Sequence, residues 1–202
     1  MKILGLDSSG IVASVAIVED ENLIAEYTVN YKKTHSQTLL PMLDELVKMT
    51  ELDLDTIDAI AVAAGPGSFT GLRIGSATAK GLGLALKKPL VEIPTVDALA
   101  YNLYDSRALI CPIMDARRSQ VYTGIYRFQE HKLVTVEAQM AVPMAEMIEK
   151  LNARGEEVVF LGDGVPVFGK MIQENLKVPY SFAPAHVNKQ RAAAVAALGE
   201  IY

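Results

Sequence analysis

The sequence predicts an α/β protein of two tandem lobes, each with the element order β-β-β-α-β-α. One observation is a change of hydrophobic period: about 30 residues of short apolar runs separated by turns give way to apolar residues at helical spacing, such as Leu39, Leu43 and Leu46. The other is that the same order of elements begins again about 100 residues later. A repeat of this length indicates that one supersecondary unit occurs twice.

The first lobe opens with three short apolar segments joined by tight turns, which is typical of an antiparallel meander. A helix follows, and then a nearly continuous apolar run that indicates a central strand covered on both faces. A second helix stops before Pro89. The predicted strands are 2–7, 12–18, 23–29 and 57–64, and the predicted helices are 36–50 and 71–86.

The second half repeats this order, and residues 162–164 (Gly-Asp-Gly) end its central strand as residues 65–67 (Gly-Pro-Gly) end the first one. Two such lobes in tandem resemble the actin-like, sugar-kinase and Hsp70-type (ribonuclease H-like) fold. We expect an N-terminal lobe at 1–104 and a smaller C-terminal lobe at 105–202, with a last helix at 188–201 that packs back on the first lobe. The predicted strands are 108–114, 120–128, 133–138 and 158–161, and the predicted helices are 143–152 and 166–175.

Composition excludes several classes of protein. The chain is 50% hydrophobic and 21% charged, as expected for a protein with a packed core, but its apolar runs are too short to span a bilayer. The lone Cys111 excludes an internal disulfide and favours a reducing, cytoplasmic environment. A net charge of -5 argues against a stand-alone nucleic-acid binder, because phosphate contacts need a basic patch. Small basic pairs such as Lys32 and Lys33 are typical of solvated surface.

Residues 65–75, between a predicted strand and helix, form a glycine-rich segment. Glycine allows close backbone approach, and the N-terminus of a helix offers free N–H groups to an anion. The segment is also compatible with a plain tight turn that is capped by Ser68 or Thr70. Together with the hairpin after the first strand of each lobe, it supplies candidates for degenerate nucleotide or anion loops. These candidates are Asp7, Ser8, Ser9, Gly65, Gly67, Ser68, Thr70, Gly71, Arg117 and Arg118.

Residues 64–75 (Ala-Gly-Pro-Gly-Ser-Phe-Thr-Gly-Leu-Arg-Ile-Gly) resemble the glycine-rich segment of the TsaB (YeaZ) family, bacterial proteins of tRNA threonylcarbamoyladenosine synthesis. Residues 3–9, 35–37 and 115–122 are similar to the same family, in the same order. The resemblance implies a non-catalytic subunit that binds and activates the paralogous TsaD enzyme. That enzyme forms N6-threonylcarbamoyladenosine at position 37 of tRNAs reading ANN codons. The resemblance further implies a TsaE-type ATPase in the larger complex and a homodimer when the chain is alone.

His35 lies where catalytic relatives carry His-x-x-x-His, a spacing that places two metal ligands on one helix face. Here Leu39 takes the second position, so we expect no metal site and no catalytic residue. Because Arg117 and Arg118 add bulk to the second hairpin, we expect no cofactor for the isolated chain, with ATP confined to a complex interface. The alternatives are an active glycopeptidase-like hydrolase or ATPase of the same superfamily, and a self-associating scaffold protein.

Small residues recur every fourth position along the second predicted helix, from Gly71 to Gly83. Each glycine costs a helix about 0.5–1 kcal/mol relative to alanine, so close packing has to compensate. The packing partner is either the lobe's own sheet or another chain, and the sequence leaves both open. As an interface, the stripe is expected to act with leucines on an outer face. The predicted interface residues are Leu39, Leu43, Leu72, Gly75, Ala79, Leu82, Gly83 and Leu86.

Overall fold

The computed structural model describes residues 1–31 and 35–202, so the Lys32–Lys33 pair lies outside the described residues. The chain forms two compact units, one of residues 1–98 with 190–202 and one of residues 99–189. The predicted division into 1–104 and 105–202 differs at both ends, because the chain enters the second unit at Leu99 and returns to the first at Gln190. No helix in the described part of the chain is long and apolar enough to cross a membrane.

The first unit is built on a five-stranded sheet of order β3-β2-β1-β4-β5. β1, β2 and β3 are antiparallel neighbours, whereas β4 and β5 run parallel to β1. The strands are β1 (Lys2–Asp7), β2 (Ala13–Glu19), β3 (Asn22–Val29), β4 (Ala59–Gly65) and β5 (Leu90–Pro94). The helices are α1 (His35–Thr50), α2 (Phe69–Leu86), α3 (Thr95–Tyr101), which enters the second unit, and α6 (Ala192–Gly199).

Helices cover both faces of this sheet. α1 packs on β2 and β3, and α2 packs on β4, so that Leu4 and Leu6 of β1 share one core with Leu43 and Ala79. α6 packs on β1, β2 and β4, and a side chain at Gly5 would collide with its backbone. Two-sided burial accounts for the nearly continuous apolar composition of β1, β2 and β4.

The second unit repeats the architecture, since its sheet order β10-β9-β6-β7-β8 is that of the first sheet with the strands renumbered. Its core joins side chains such as Phe160 and Ile125 to α4 and α5. The strands are β6 (Leu109–Asp115), β7 (Gln120–Gln129), β8 (Lys132–Pro143), β9 (Val158–Leu161) and β10 (Tyr180–Phe182). The helices are α4 (Met144–Arg154) and α5 (Val165–Asn175).

The predicted fold, an α/β protein with two β-β-β-α-β-α repeats, is confirmed. The edge strands β5 and β10 were not predicted, because five and three residues of mixed burial carry little periodicity. The last helix is shorter than the predicted 188–201 at both ends, since residues 188–191 and 200–201 are not helical.

Candidate functional site

The glycine-rich loop docks directly on the hairpin that follows β1. The backbone N–H of Ser68 donates to the carbonyl oxygen of Ser9 at 2.7 Å, and the hydroxyl of Ser8 donates to the carbonyl oxygen of Gly71 at 2.8 Å. A Cβ at Gly67 would overlap the carbonyl oxygen of Ser9, and a Cβ at Gly71 would overlap the carbonyl oxygen of Ser8. The glycines are therefore required because two stretches of backbone touch.

Asp7 lies at the base of this contact and is buried. Its Oδ1 accepts from the backbone N–H of Ser9 at 2.9 Å and from the Ser9 hydroxyl at 2.6 Å. Its Oδ2 has no partner among the residues that the structure describes. Burial raises the pKa of Asp7 to about 6, against the opposing effects of the Ser9 hydrogen bonds and nearby His35.

His35 begins α1, and its Nε2 lies 2.9 Å from the carbonyl oxygen of Gly10. The ring thus ties the start of the helix to the hairpin. Gln190 also lies against Gly10, since a Cβ on Gly10 would lie 2.5 Å from Gln190 Nε2. Sequence reasoning missed Gln190, because no local pattern links it to a hairpin 180 residues earlier.

The glycine-rich loop and the start of α2 contact the hairpin where an anion would bind. Ser8 and Ser9 are buried, and Ser68 caps α2 by accepting from the backbone N–H of Gly71 at 3.3 Å. The structure thus brings the first-lobe candidates together, from Asp7 to Gly71, but it favours the plain turn over an open phosphate cradle. Thr70 is exposed on the first turn of α2.

The second unit holds the mirrored hairpin, with Arg117 and Arg118 at its tip. Both residues have positive φ, at 67° and 50°, so this turn is left-handed. Arg117 donates its backbone N–H and a guanidinium N–H to Asp115 and is largely exposed. Desolvation raises the pKa of Asp163, whose Oδ1 accepts from the backbone N–H of Asp115. Arg118 is exposed as well, so both arginines lie on an exposed turn.

No group of three potential metal ligands among His, Cys, Asp and Glu side chains occurs in residues 1–31 and 35–202. Away from the hairpin, His131 lies 3.2 Å from Asp105 on the surface of the second unit.

The small-residue stripe of α2 faces inward, which corrects the predicted interface. Gly71, Gly75, Ala79 and Gly83 are its buried residues, and side chains added at Gly75 or Gly83 would meet Ser8 or Leu90. Leu39 and Leu43 are only 1% and 4% exposed, so their predicted position on an outer face is wrong. Leu82 and Leu86 are half-buried against the same core, and Leu72 is half-buried beside it.

A different set of residues forms the outer face of α2. Phe69 and Leu84 are 68% and 83% exposed, and Ala77 and Gly81 lie between them on the exposed side. An ideal Cβ built on Gly81 meets no atom within 4 Å. The sequence could have pointed here, because Ala77, Gly81 and Ala85 repeat at the same four-residue spacing, offset by two from the buried stripe. We call Phe69, Arg73, Ala77, Lys80, Gly81 and Leu84 the α2 outer face.

A duplicated α/β unit with this connectivity defines a protein of the actin-like and sugar-kinase class. A polyphosphate/ATP-glucomannokinase from Arthrobacter shares the fold, with a TM-score of 0.57 at 14% identity over 99% of this chain and 98% of that one. Residues 22–201 match the sequence profile of the family described as TsaD, tRNA N6-adenosine threonylcarbamoyltransferase.

Relatives with higher sequence identity identify the family within this fold class. A Bacillus subtilis protein described as tRNA threonylcarbamoyladenosine biosynthesis protein TsaB is 34% identical over 99% of this chain and 87% of its own length. The structure of YeaZ from Pseudomonas aeruginosa superposes with a TM-score of 0.83 at 26% identity, over 99% of this chain and 91% of that chain. The chain belongs to the TsaB (YeaZ) family of tRNA threonylcarbamoyladenosine biosynthesis.

Proposed function

We propose that the protein is a non-catalytic, cytoplasmic subunit that binds and activates a TsaD-type paralogue in forming N6-threonylcarbamoyladenosine on tRNA. The paralogue would bring the metal-binding histidine pair, of which this chain keeps only His35. A TsaE-type ATPase would join the larger complex, and the same surface would form a homodimer when the partner is absent. Membership of a tRNA-modification family and a hairpin filled by the chain's own loop both support this role.

One observation carries the proposal: Gly81 lies in the middle of an 18-residue helix with open space where a side chain would be. Nothing in the described part of the chain requires glycine there, yet glycine costs about 1 kcal/mol relative to alanine. A partner helix that approaches the α2 outer face closely would account for it. Exposed Leu40 and Met49 of α1 are further apolar side chains that a partner would cover.

The substitution Gly81→Glu is expected to abolish binding to the TsaD enzyme of the same organism. The chain should still fold, because the new side chain has room and glutamate favours a helix more than glycine does. Binding is measured by calorimetry, and function by threonylcarbamoyl transfer to tRNA with both proteins present. Gly169→Glu, at another helical glycine with open space, is the matched control. Unchanged affinity of a folded Gly81→Glu chain would place the interface elsewhere.

We expect no tight nucleotide binding by the isolated chain, because Ser8 and Ser9 are buried and bonded to α2 and its preceding loop. Calorimetric titration with ATP and Mg²⁺ should give a dissociation constant no tighter than about 100 μM, a weak interaction of roughly 5 kcal/mol. Sub-micromolar binding or steady ATP turnover would instead support the active ATPase.

A further inference from the structure

A groove of about 450 Å³ lies beside the α2 outer face, between α2 and the edge strand β5. Its α2 wall carries Phe69, Arg73 and Lys80, and its β5 wall carries Glu92. The last residues of β4, up to Ala64, close its inner end. Because the groove shares four residues with the α2 outer face, a partner bound to that face would reach it.

The two cations of the groove are unpaired. Neither Arg73 nor Lys80 forms a salt bridge or side-chain hydrogen bond with any of the residues described, and α2 has no acidic residue. The guanidinium carbon of Arg73 lies 3.9 Å from the centre of the Phe69 ring. Stacking on the ring orients the guanidinium while its N–H groups stay available. A helix with only positive charge stands out in a chain of net charge -5.

We propose that this groove receives an acidic segment of the protein partner, whose carboxylates pair with Arg73 and Lys80. The inference rests on the proposed function and adds the chemistry by which the partner is recognised. Two features select a protein segment: apolar surface from Phe69 and Ala77 beside the charges, and continuity with the α2 outer face. Arginine and lysine about two helical turns apart suit two carboxylates on one segment.

An RNA backbone fits this groove less well. Binding to RNA relies on many cations that each neutralise a phosphate, whereas the described residues lining this groove include two. Glu92 on the facing wall would repel the phosphates that lie beside it, but a protein segment can place an uncharged residue opposite it.

The test measures binding of the full chain to the TsaD enzyme of the same organism at 50 and 300 mM salt. The double variant Arg73→Glu with Lys80→Glu should bind at least about 10-fold more weakly and lose the salt dependence of the wild type. The control, Lys132→Glu with Lys177→Glu, changes the net charge equally at exposed positions of the second unit and should stay within about 3-fold of the wild type. Circular dichroism confirms folding of each variant.

Glu92→Gln gives an independent readout, because removing this carboxylate from the groove should tighten binding of an acidic segment about 2- to 5-fold. Weaker binding by this variant would indicate a basic occupant and overturn the proposal. The proposal would also be overturned if the groove and control variants lost affinity equally. The same holds if the groove variant lost binding of labelled tRNA while its binding of TsaD was unchanged. If the wild-type chain does not bind TsaD at all, the proposed function itself fails, which these variants cannot mimic.

Discussion

Gly71→Ala should destabilise the protein by about 2–3 kcal/mol, whereas Gly81→Ala, ten residues along the same helix, should stabilise it by about 0.5–1 kcal/mol. At Gly71 the added methyl group overlaps the carbonyl oxygen of Ser8, and neither backbone can move without breaking the contact between loop and hairpin. At Gly81 the methyl group enters open space, so only the gain in helix propensity remains.

Urea unfolding of the two alanine variants beside the wild type measures this difference. Opposite signs are the expected outcome, and the pair controls for the substitution itself because both positions are in α2. Equal stability of the two variants would show that the loop does not hold the hairpin as tightly as the structure has it.

Asp7→Asn should stabilise the protein at pH 7 by between about 1 and 3 kcal/mol, and the gain should vanish below about pH 4. Burial raises the pKa of Asp7 to about 6, from 3.8 for an exposed group. Below the lower value the carboxyl group is protonated in both the folded and the unfolded chain, so burial carries no charge penalty. Above the higher value the folded chain holds a buried charge, so wild-type stability falls between about pH 4 and pH 6.

The asparagine variant does not titrate, and its amide oxygen can still accept from Ser9 as Oδ1 does. Urea unfolding from pH 4 to pH 8 gives the difference in unfolding free energy. Asp55→Asn, at an exposed position of the same unit, is the control for the substitution itself. A stability difference that grows as the pH falls would mean that the Asp7 carboxylate is stabilised in the folded chain.

The sequence predicted the repeat and the central strands because burial on both faces leaves an apolar composition that can be read locally. It could not assign the stripe of α2, since four-residue spacing defines a face of a helix without saying what that face touches. Ala77, Gly81 and Ala85 satisfy the same rule as the buried residues, and only the position of the sheet separates the two sets. Long-range contacts, such as Gln190 against Gly10, have no local pattern at all.

The return of the chain to the first unit has a consequence for folding during synthesis. Residues 99–189 form one uninterrupted unit, whereas the first sheet keeps one face uncovered until α6 has been made. Glu26 on β3 then binds Arg191 and accepts from the backbone N–H of Ala193 at 3.1 Å, fixing the start of that helix. On the ribosome, residues 1–98 are translated before the second unit, yet they reach their final packing only after α6 has emerged. Their apolar strands depend on protection until then.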